Sequence, residues 1–165
     1  MKLFHVKDFK YFYGMDKAKF LKEDYIPLLK KLKGDEKGNF GKLSPQGMIE
    51  HMSDSFGNAY GRIHQPLHTK EDMVQRFRDF ALSDKPFKDN TPNAYMGEQP
   101  APLRHKDMPA AIAELEGEIN AFFDFYKNDP GAIKLNPFFG EFNYDNWLHL
   151  LHKHANHHLR QFNLV

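Results

Sequence analysis

Apolar residues recur at helical spacing in several stretches of the chain. The longest uninterrupted one covers residues 147–162, which contain neither Pro nor Gly. When each residue advances by about 100°, its apolar positions share one arc. The pattern predicts an amphipathic terminal helix, with Asn143 as a favourable N-cap. The residues of the arc are Leu148, Leu151, Ala155, Leu159 and Phe162.

Two further helices are predicted in the first third of the chain. The first runs from an N-cap at Asp16 to about Lys33, and Pro27 is expected to kink or split it. Its apolar positions are Leu21, Tyr25, Leu28 and Leu32. The second begins with Ser44 as N-cap and Pro45 at the first helical position, and it runs to about residue 60. Its apolar stripe is Met48, His51, Met52, Ser55, Phe56 and Ala59.

Two more helices are predicted in the second half. Asp107 is expected to cap a helix over residues 108–127, whose heptad positions are Ile112, Leu115, Ile119, Phe122 and Tyr126. On this helix we interpret Glu114, Glu116 and Glu118 as a solvated face. A shorter helix over 71–82 should turn four apolar residues inward, namely Met73, Val74, Phe77 and Phe80.

No segment shows a convincing strand pattern. The Pro-rich stretch 83–104 is either a binding loop or lid, or a simple crossover between distant helices, and the sequence leaves both open. The patterns together predict an all-α protein, a four-helix bundle with a long crossover between helices 2 and 3. Residues 1–165 are predicted to form a single domain, with 1–15 as an N-terminal arm.

Composition narrows the classes of function. The formal net charge is +1, from 23 basic and 22 acidic residues, so we expect no nucleic-acid partner. There is no cysteine, which excludes disulfides, thiolate nucleophiles and Cys-ligated zinc. No apolar run has the length of a signal peptide core or a membrane span, so we expect a cytoplasmic protein without a membrane partner. Sixteen Phe and seven Tyr predict a core built on aromatic rings.

The terminal helix carries five of the ten histidines. His154 and His158 lie at the flank of the apolar arc with i,i+4 spacing, which brings two imidazoles side by side. His157 lies further round, and His149 and His152 point away. Such a pair is a metal signal, but it is equally compatible with hydrogen-bonded polar residues of the core.

A third inward histidine changes this balance. His51 lies in the apolar stripe of the second predicted helix. Three neutral imidazoles that converge inside a bundle leave coordination positions open, as in catalytic zinc sites. We therefore predict a metal site formed by His51, His154 and His158.

Several motifs occur together in a recognisable order. They are His51, the Pro-Phe-x-Gly turn that starts at Pro137, Trp147, and the series His154-x-x-His157-His158-x-x-Gln161. Over roughly residues 16–165 the chain resembles the DinB-like (DinB/YfiT-like) superfamily of metalloenzymes, in a branch of unknown function. The resemblance implies the four-helix bundle of that superfamily and a divalent metal ion on His51, His154 and His158. It also implies that His157 is not a ligand.

The resemblance carries expectations about chemistry and partners. Zinc or nickel are the first candidates for the metal, and iron is a further one. Better-known relatives are thiol-dependent S-transferases and isomerases, usually homodimers, so the resemblance implies a small-molecule substrate, a homodimer and, as an open alternative, a low-molecular-weight thiol cofactor.

Two hypotheses on function follow. The first is a metal-dependent enzyme, either an S-transferase or a hydrolase, whose general base the sequence does not name. Asp54 lies on another face, and Ser55 is placed only to orient a ligand or substrate. The alternative is a non-catalytic module for small-molecule binding or stress response, with a structural metal or none. Nucleic-acid binding is a weaker third hypothesis, since the basic residues are scattered.

Overall fold

The structure is a computed structural model that describes residues 16–91, 97 and 99–165. It is mostly helical, as predicted, with one small antiparallel sheet. The predicted arm, residues 1–15, lies outside the described residues, and the single-domain assignment stays a prediction. In chain order the elements are α1 (Lys17–Lys19), a π-helical segment (Phe20–Asp24), α2 (Tyr25–Leu29), α3 (Pro45–Tyr60), α4 (Glu71–Leu82), α5 (Met108–Asn128), β1 (Lys134–Asn136), β2 (Gly140–Phe142) and α6 (Tyr144–Gln161).

Side chains cap the helices where the sequence predicted. Ser44 Oγ accepts from the amide of Gly47, and Asp107 accepts from that of Ala110. Asp16 and Asn143 cap α1 and α6 in the same way. Each cap satisfies an amide that the first helical turn leaves without a backbone partner, which explains why these boundaries were readable.

The first predicted helix is shorter than expected and contains a π-helical segment. The amide of Tyr25 bonds to the carbonyl of Phe20, five residues earlier. Proline has no N–H, and its ring crowds the carbonyl four residues back, which for Pro27 is that of Glu23. Glu23 lies inside the π-helical segment, so the irregular turn coincides with the position that Pro27 disturbs. The helix ends at Leu29 instead of Lys33, because the amides of Lys31 and Leu32 bond to carbonyls three residues back instead of four. Leu28 and Leu32 of the predicted heptad are only partly buried.

The core lies between α3 and α5, which pack along each other, and α6 contacts α3. Phe56 and Phe122 meet edge to face with their ring centroids 5.8 Å apart, and the hydroxyl of Tyr126 donates to the carbonyl of Ala59. The expected aromatic core is confirmed. All five predicted heptad positions of α5 are buried, namely Ile112, Leu115, Ile119, Phe122 and Tyr126.

The prediction for α4 was partly wrong. Phe77 and Phe80 are 40% and 39% exposed, whereas Ala81 is buried. Within the described residues, the main contacts of α4 are with β2 and α6, and they leave the side of the helix that carries Phe77 and Phe80 exposed. The inner face is set by Val74, which lies so close to Gly140 that a Cβ on this glycine would be 2.9 Å from Val74 Cγ1.

The hairpin β1–β2 was not predicted. Leu135 pairs with Glu141, and the side chain of Asn136 accepts from the amides of Phe138 and Phe139 in the turn. Gly140 has φ +80°, a conformation that favours glycine. Strands of three residues are too short to show an alternating pattern, so the sequence indicated only the turn.

No helix in the described part of the chain is long and apolar enough to cross a membrane.

Candidate metal centre

Three imidazoles from two helices converge. His51 lies on α3, and His154 and His158 lie one turn apart on α6. The Nε2 atom of His154 is 3.1 Å from Nε2 of His51 and 3.0 Å from Nε2 of His158. One ligand atom from each residue lies within 4.8 Å of the others. The structure therefore brings together the three residues that the sequence singled out.

The apolar stripes of the two helices explain this convergence. On α3, Met48 and Met52 are buried in the core, and on α6, Ala155 and Leu159 are buried. The histidines lie at the edges of these stripes, so they meet where the helices contact each other. His158 is only 6% exposed. His51 and His154 keep part of their surface exposed, which leaves one side of the cluster accessible.

The other histidines of α6 have different surroundings. His149 Nε2 is 3.3 Å from the carbonyl oxygen of Ser83, and the ring of His152 packs on Phe20. His157 lies beside the triad residue His158, with its ring 5.2 Å away. Among the described residues, none of these three belongs to the group of converging ligand atoms. Their angular positions on the helix predicted this division.

Gln161 determines the tautomer of His158. The side-chain nitrogen Nε2 of Gln161 donates to the carbonyl of Phe40 at 2.7 Å, so its oxygen Oε1 faces His158 Nδ1 at 2.8 Å. An amide oxygen only accepts hydrogen bonds, hence the proton of the neutral imidazole lies on Nδ1. The Nε2 atom of His158 consequently directs a lone pair into the cluster.

Ser55 lies beside His154. Its hydroxyl donates its one hydrogen to the carbonyl of His51 at 3.0 Å. The oxygen is therefore left as an acceptor toward His154 Nδ1, but at 3.5 Å the contact is too long to fix which nitrogen of His154 carries the proton. The expectation that Ser55 orients a ligand or substrate stays a prediction.

Burial keeps the three imidazoles neutral. Desolvation lowers the pKa of His51 to about 4, with a smaller contribution from His157. It lowers the pKa of His158 to about 3, and the nearby His51 adds to the effect. The pKa of His154 is well below its ordinary value, again mainly through desolvation. All three are therefore available as metal ligands at neutral pH.

The nearest carboxylates on α3 are bound elsewhere. Glu50 is buried and accepts from the amides of Arg104 and His105, and Asp54 pairs with the guanidinium of Arg104 at 3.0 Å. Asp54 thus lies on another face of α3, as expected, and the structure does not supply a carboxylate base there. The interpretation of the α5 glutamates as a solvated face was wrong for Glu114, which pairs with Arg104. It was also wrong for Glu118, which pairs with Arg62, whereas Glu116 is exposed.

An aromatic residue of the 83–107 segment lies against the cluster. The ring of Phe87 packs edge to face on His154, at 6.2 Å, and on His157, at 5.9 Å. Lys153 holds this region, because its ammonium donates to the carbonyls of Phe80 and Ser83 and lies 4.9 Å from the Phe87 ring. Phe87 thus contacts the cluster, and both interpretations of the stretch 83–104, a binding loop or a crossover, stay open.

Sequence reasoning missed the parts of the site that lie outside the histidine motif. Phe40 and Phe87 come from loops, where no periodicity indicates a direction. Gln161 was noticed only as part of a motif, although its i,i+3 spacing from His158 places the two side chains together on a helix.

A family model of the DinB superfamily matches residues 25–162. The chain belongs to the DinB superfamily. The matched range contains all of α3, α5 and α6, and hence the whole histidine triad. No curated protein and no solved structure matched this DinB-superfamily chain.

Proposed function

We propose that this DinB-superfamily protein binds one divalent metal ion through the Nε2 atoms of His51, His154 and His158. We further propose that it is a metal-dependent enzyme that acts on a small molecule, as a thiol-dependent S-transferase or a hydrolase. The observation that carries the metal site is the convergence of one ligand atom from each of the three histidines within 4.8 Å.

The lone pair of His158 faces the other rings of the triad. Gln161 holds the proton of His158 on Nδ1, so the Nε2 atom of His158, 3.0 Å from Nε2 of His154, carries no hydrogen. A hydrogen bond at this pair would use a proton on Nε2 of His154, whereas a metal ion would bind the lone pairs of all three rings at once.

The spacing and chemistry of the donors fit a first-row divalent ion. Two nitrogens bound to one zinc ion at a tetrahedral angle lie roughly 3.3 Å apart. The two separations that His154 makes, 3.0 and 3.1 Å, are within a few tenths of an ångström of that value, whereas the three ligand atoms as a set lie within 4.8 Å, so a bound ion would draw the outer rings together. Imidazole suits zinc, nickel and iron, so we propose zinc or nickel first and iron next.

Each side chain of the centre has a distinct part. A divalent ion with open coordination positions lowers the pKa of a thiol or water that it binds. His51 and His154, which are partly exposed, border the side from which a substrate approaches. Phe87 packs edge to face on His154, Gln161 orients the ring of His158, and Ser55 lies beside Nδ1 of His154.

The proposal also includes the helix arrangement, the oligomeric state, the cellular location and the thiol cofactor that the family resemblance implies. We infer a four-helix bundle formed by the consecutive helical segments of residues 17–29 together with α3, α5 and α6. The contacts that α2 makes with α5 and α6 support this arrangement. A homodimer, a cytoplasmic location and a low-molecular-weight thiol remain proposals as well.

Elemental analysis tests the metal site. Protein purified without a nickel column is compared with His51→Ala, His158→Ala and the control His149→Ala, which alters the same helix outside the triad. We expect about one ion per chain in the wild type and control, and loss of the ion in both triad variants. Circular dichroism should show the same helix content in all four proteins.

Activity is tested on the metal-loaded wild type. Consumption of a thiol together with an electrophile would support transfer, and cleavage without thiol would support hydrolysis. Absence of metal in every sample, with no uptake of zinc, nickel or iron at neutral pH, would remove the basis of the proposal. The non-catalytic alternative would then be preferred.

A further inference from the structure

The side chain of Gln161 connects the histidine triad to a surface loop. It is 2% exposed, and its two ends have different partners. The oxygen faces His158 Nδ1 at 2.8 Å, and the nitrogen donates to the carbonyl of Phe40 at 2.7 Å. The backbone carbonyl of Gln161 accepts from the amide of Asn39 at 2.8 Å. The same residue is therefore bonded to a proposed metal ligand and to the loop 38–41.

Two glycines allow the loop to come this close. A Cβ on Gly38 would lie 2.9 Å from Cγ of Gln161, and a Cβ on Gly41 would lie 2.7 Å from its Nε2. Gly41 also has φ +73°, which strains any residue with a side chain. The loop thus encloses the amide of Gln161 from two sides, and any side chain at these positions would displace it.

The loop is in turn attached to other parts of the protein. The amide of Gly41 donates to the side-chain oxygen of Asn90 at 2.8 Å, and the ring of Phe40 packs on His157 at 4.9 Å. Asn39 exchanges side-chain hydrogen bonds with Asn163. These contacts hold the Phe40 carbonyl in place, and that carbonyl fixes which end of the Gln161 amide faces His158.

We propose that Gln161 is a positioning residue that holds His158 with its proton on Nδ1, and that the loop 38–41 sets the metal affinity of the triad through it. This inference rests on the proposed function. Groups that orient a metal-bound histidine through its second nitrogen typically affect metal affinity by about 10- to 100-fold. A change in a loop that contacts none of the three ligands is therefore expected to weaken metal binding.

Three substitutions separate the two ends of the amide. Gln161→Leu removes both the acceptor for His158 and the donor to Phe40. Gln161→Glu keeps an oxygen for His158 but loses the donor. Gly41→Ala leaves Gln161 in the sequence and displaces its amide. Gly131→Ala is the matched control, because a Cβ there meets nothing within 4 Å.

Two measurements are made on each protein. Nitrogen-15 NMR of the metal-free form reports which nitrogen of His158 carries the proton, and competition with a chelator gives the zinc affinity. For Gln161→Leu and Gly41→Ala we expect loss of the Nδ1–H form of His158 and zinc binding weaker by about 10- to 100-fold. Gln161→Glu should keep the Nδ1–H form and bind zinc at least tenfold more tightly than Gln161→Leu.

The outcomes can be told apart. An unchanged tautomer and unchanged zinc affinity in both Gln161→Leu and Gly41→Ala, at wild-type helix content, would overturn the inference. Equal losses in Gln161→Glu and Gln161→Leu would also overturn it, since the acceptor would then be irrelevant. If the wild type binds neither zinc, nickel nor iron, the proposed function fails, while the tautomer of the metal-free protein still tests Gln161.

Discussion

Glu50 and Lys153 hold opposite ends of the same segment. Glu50, next to His51, accepts from the amides of Arg104 and His105. Lys153, next to His154, donates to the carbonyls of Phe80 and Ser83. The residues beside two triad histidines therefore bind the two ends of the connection between α4 and α5.

Substitution of Glu50 by Gln should release one of the two anchored amides. Oε2 of Glu50 accepts from Arg104, and Oε1 accepts from His105 and from the side chain of Gln46. A glutamine has one oxygen, so its NH2 group must face an N–H donor. We expect Glu50→Gln to lower the free energy of unfolding by about 1–3 kcal/mol. Amide exchange at Arg104 or His105 should be at least tenfold faster, and unchanged exchange at both would contradict this account.

Substitution of Lys153 by Met should loosen the C-terminal end of α4. The ammonium donates to the carbonyls of Phe80 and Ala81 in the last helical turn, and methionine keeps only the apolar stem. Hydrogen exchange measured by mass spectrometry should increase over residues 80–91. Lys127→Met, an exposed lysine on α5, is the control, and equal exchange in the two variants would refute the assignment.

Removal of the Phe87 ring should expose His154. Phe87 packs on the rings of His154 and His157, so Phe87→Ala opens that face to solvent. Exchange of the imidazole C2 hydrogen of His154, followed by mass spectrometry, should accelerate several-fold. Phe77→Ala removes a ring that is 40% exposed on α4 and should leave the exchange of His154 unchanged.

A methyl group on Gly140 should destabilise the hairpin. Its φ of +80° disfavours a side chain, and the new Cβ would lie 2.9 Å from Cγ1 of Val74. We expect Gly140→Ala to cost about 1–3 kcal/mol in urea unfolding. Adding Val74→Ala should cost less in that background than in the wild type, because it removes the steric overlap. If the two costs were equal, the overlap with Val74 would be disproved.

Acid should weaken the contacts between Arg104 and α5. Burial raises the pKa of Glu114, but hydrogen bonds from His105 and Arg104 outweigh it and leave the pKa below its ordinary value. In the folded state the carboxyl therefore binds its proton at lower pH than in the unfolded state. The stabilisation is present above the unfolded pKa, about 4.3, and is lost as the pH falls through the folded value.

The variant Glu114→Gln lacks this titration. The difference in unfolding free energy between wild type and variant should be about 1 kcal/mol at pH 7. It should shrink below about pH 4, as urea titrations at both pH values would show. A difference that does not depend on pH would indicate that the charge of Glu114 contributes nothing.

The sequence predicted those features that depend on neighbours along the helix. The caps at Ser44 and Asp107 are local, and the i,i+4 spacing of His154 and His158 needs only helical geometry. The placement of His51 followed from a stripe that had to face the core. By contrast, the exposure of Phe77 depends on which elements cover α4, and the approach of Phe87 depends on the path of a loop. Neither is encoded in periodicity.

The π-helical segment has a consequence for how the first helix tolerates change. The π-helical segment accommodates one extra residue between Phe20 and Asp24. The side chains that follow are therefore shifted by one sequence position around the helix. As a result Tyr25, Ile26 and Leu29 are buried, and the predicted heptad position Leu28 is not. Removal of a single exposed residue from the segment, such as Lys22, would place Phe20 and Tyr25 four positions apart, so an ordinary α-helical turn would keep both rings on the core side. The extra residue therefore adds one exposed position to the helix without changing which side chains before and after it face the rest of the protein.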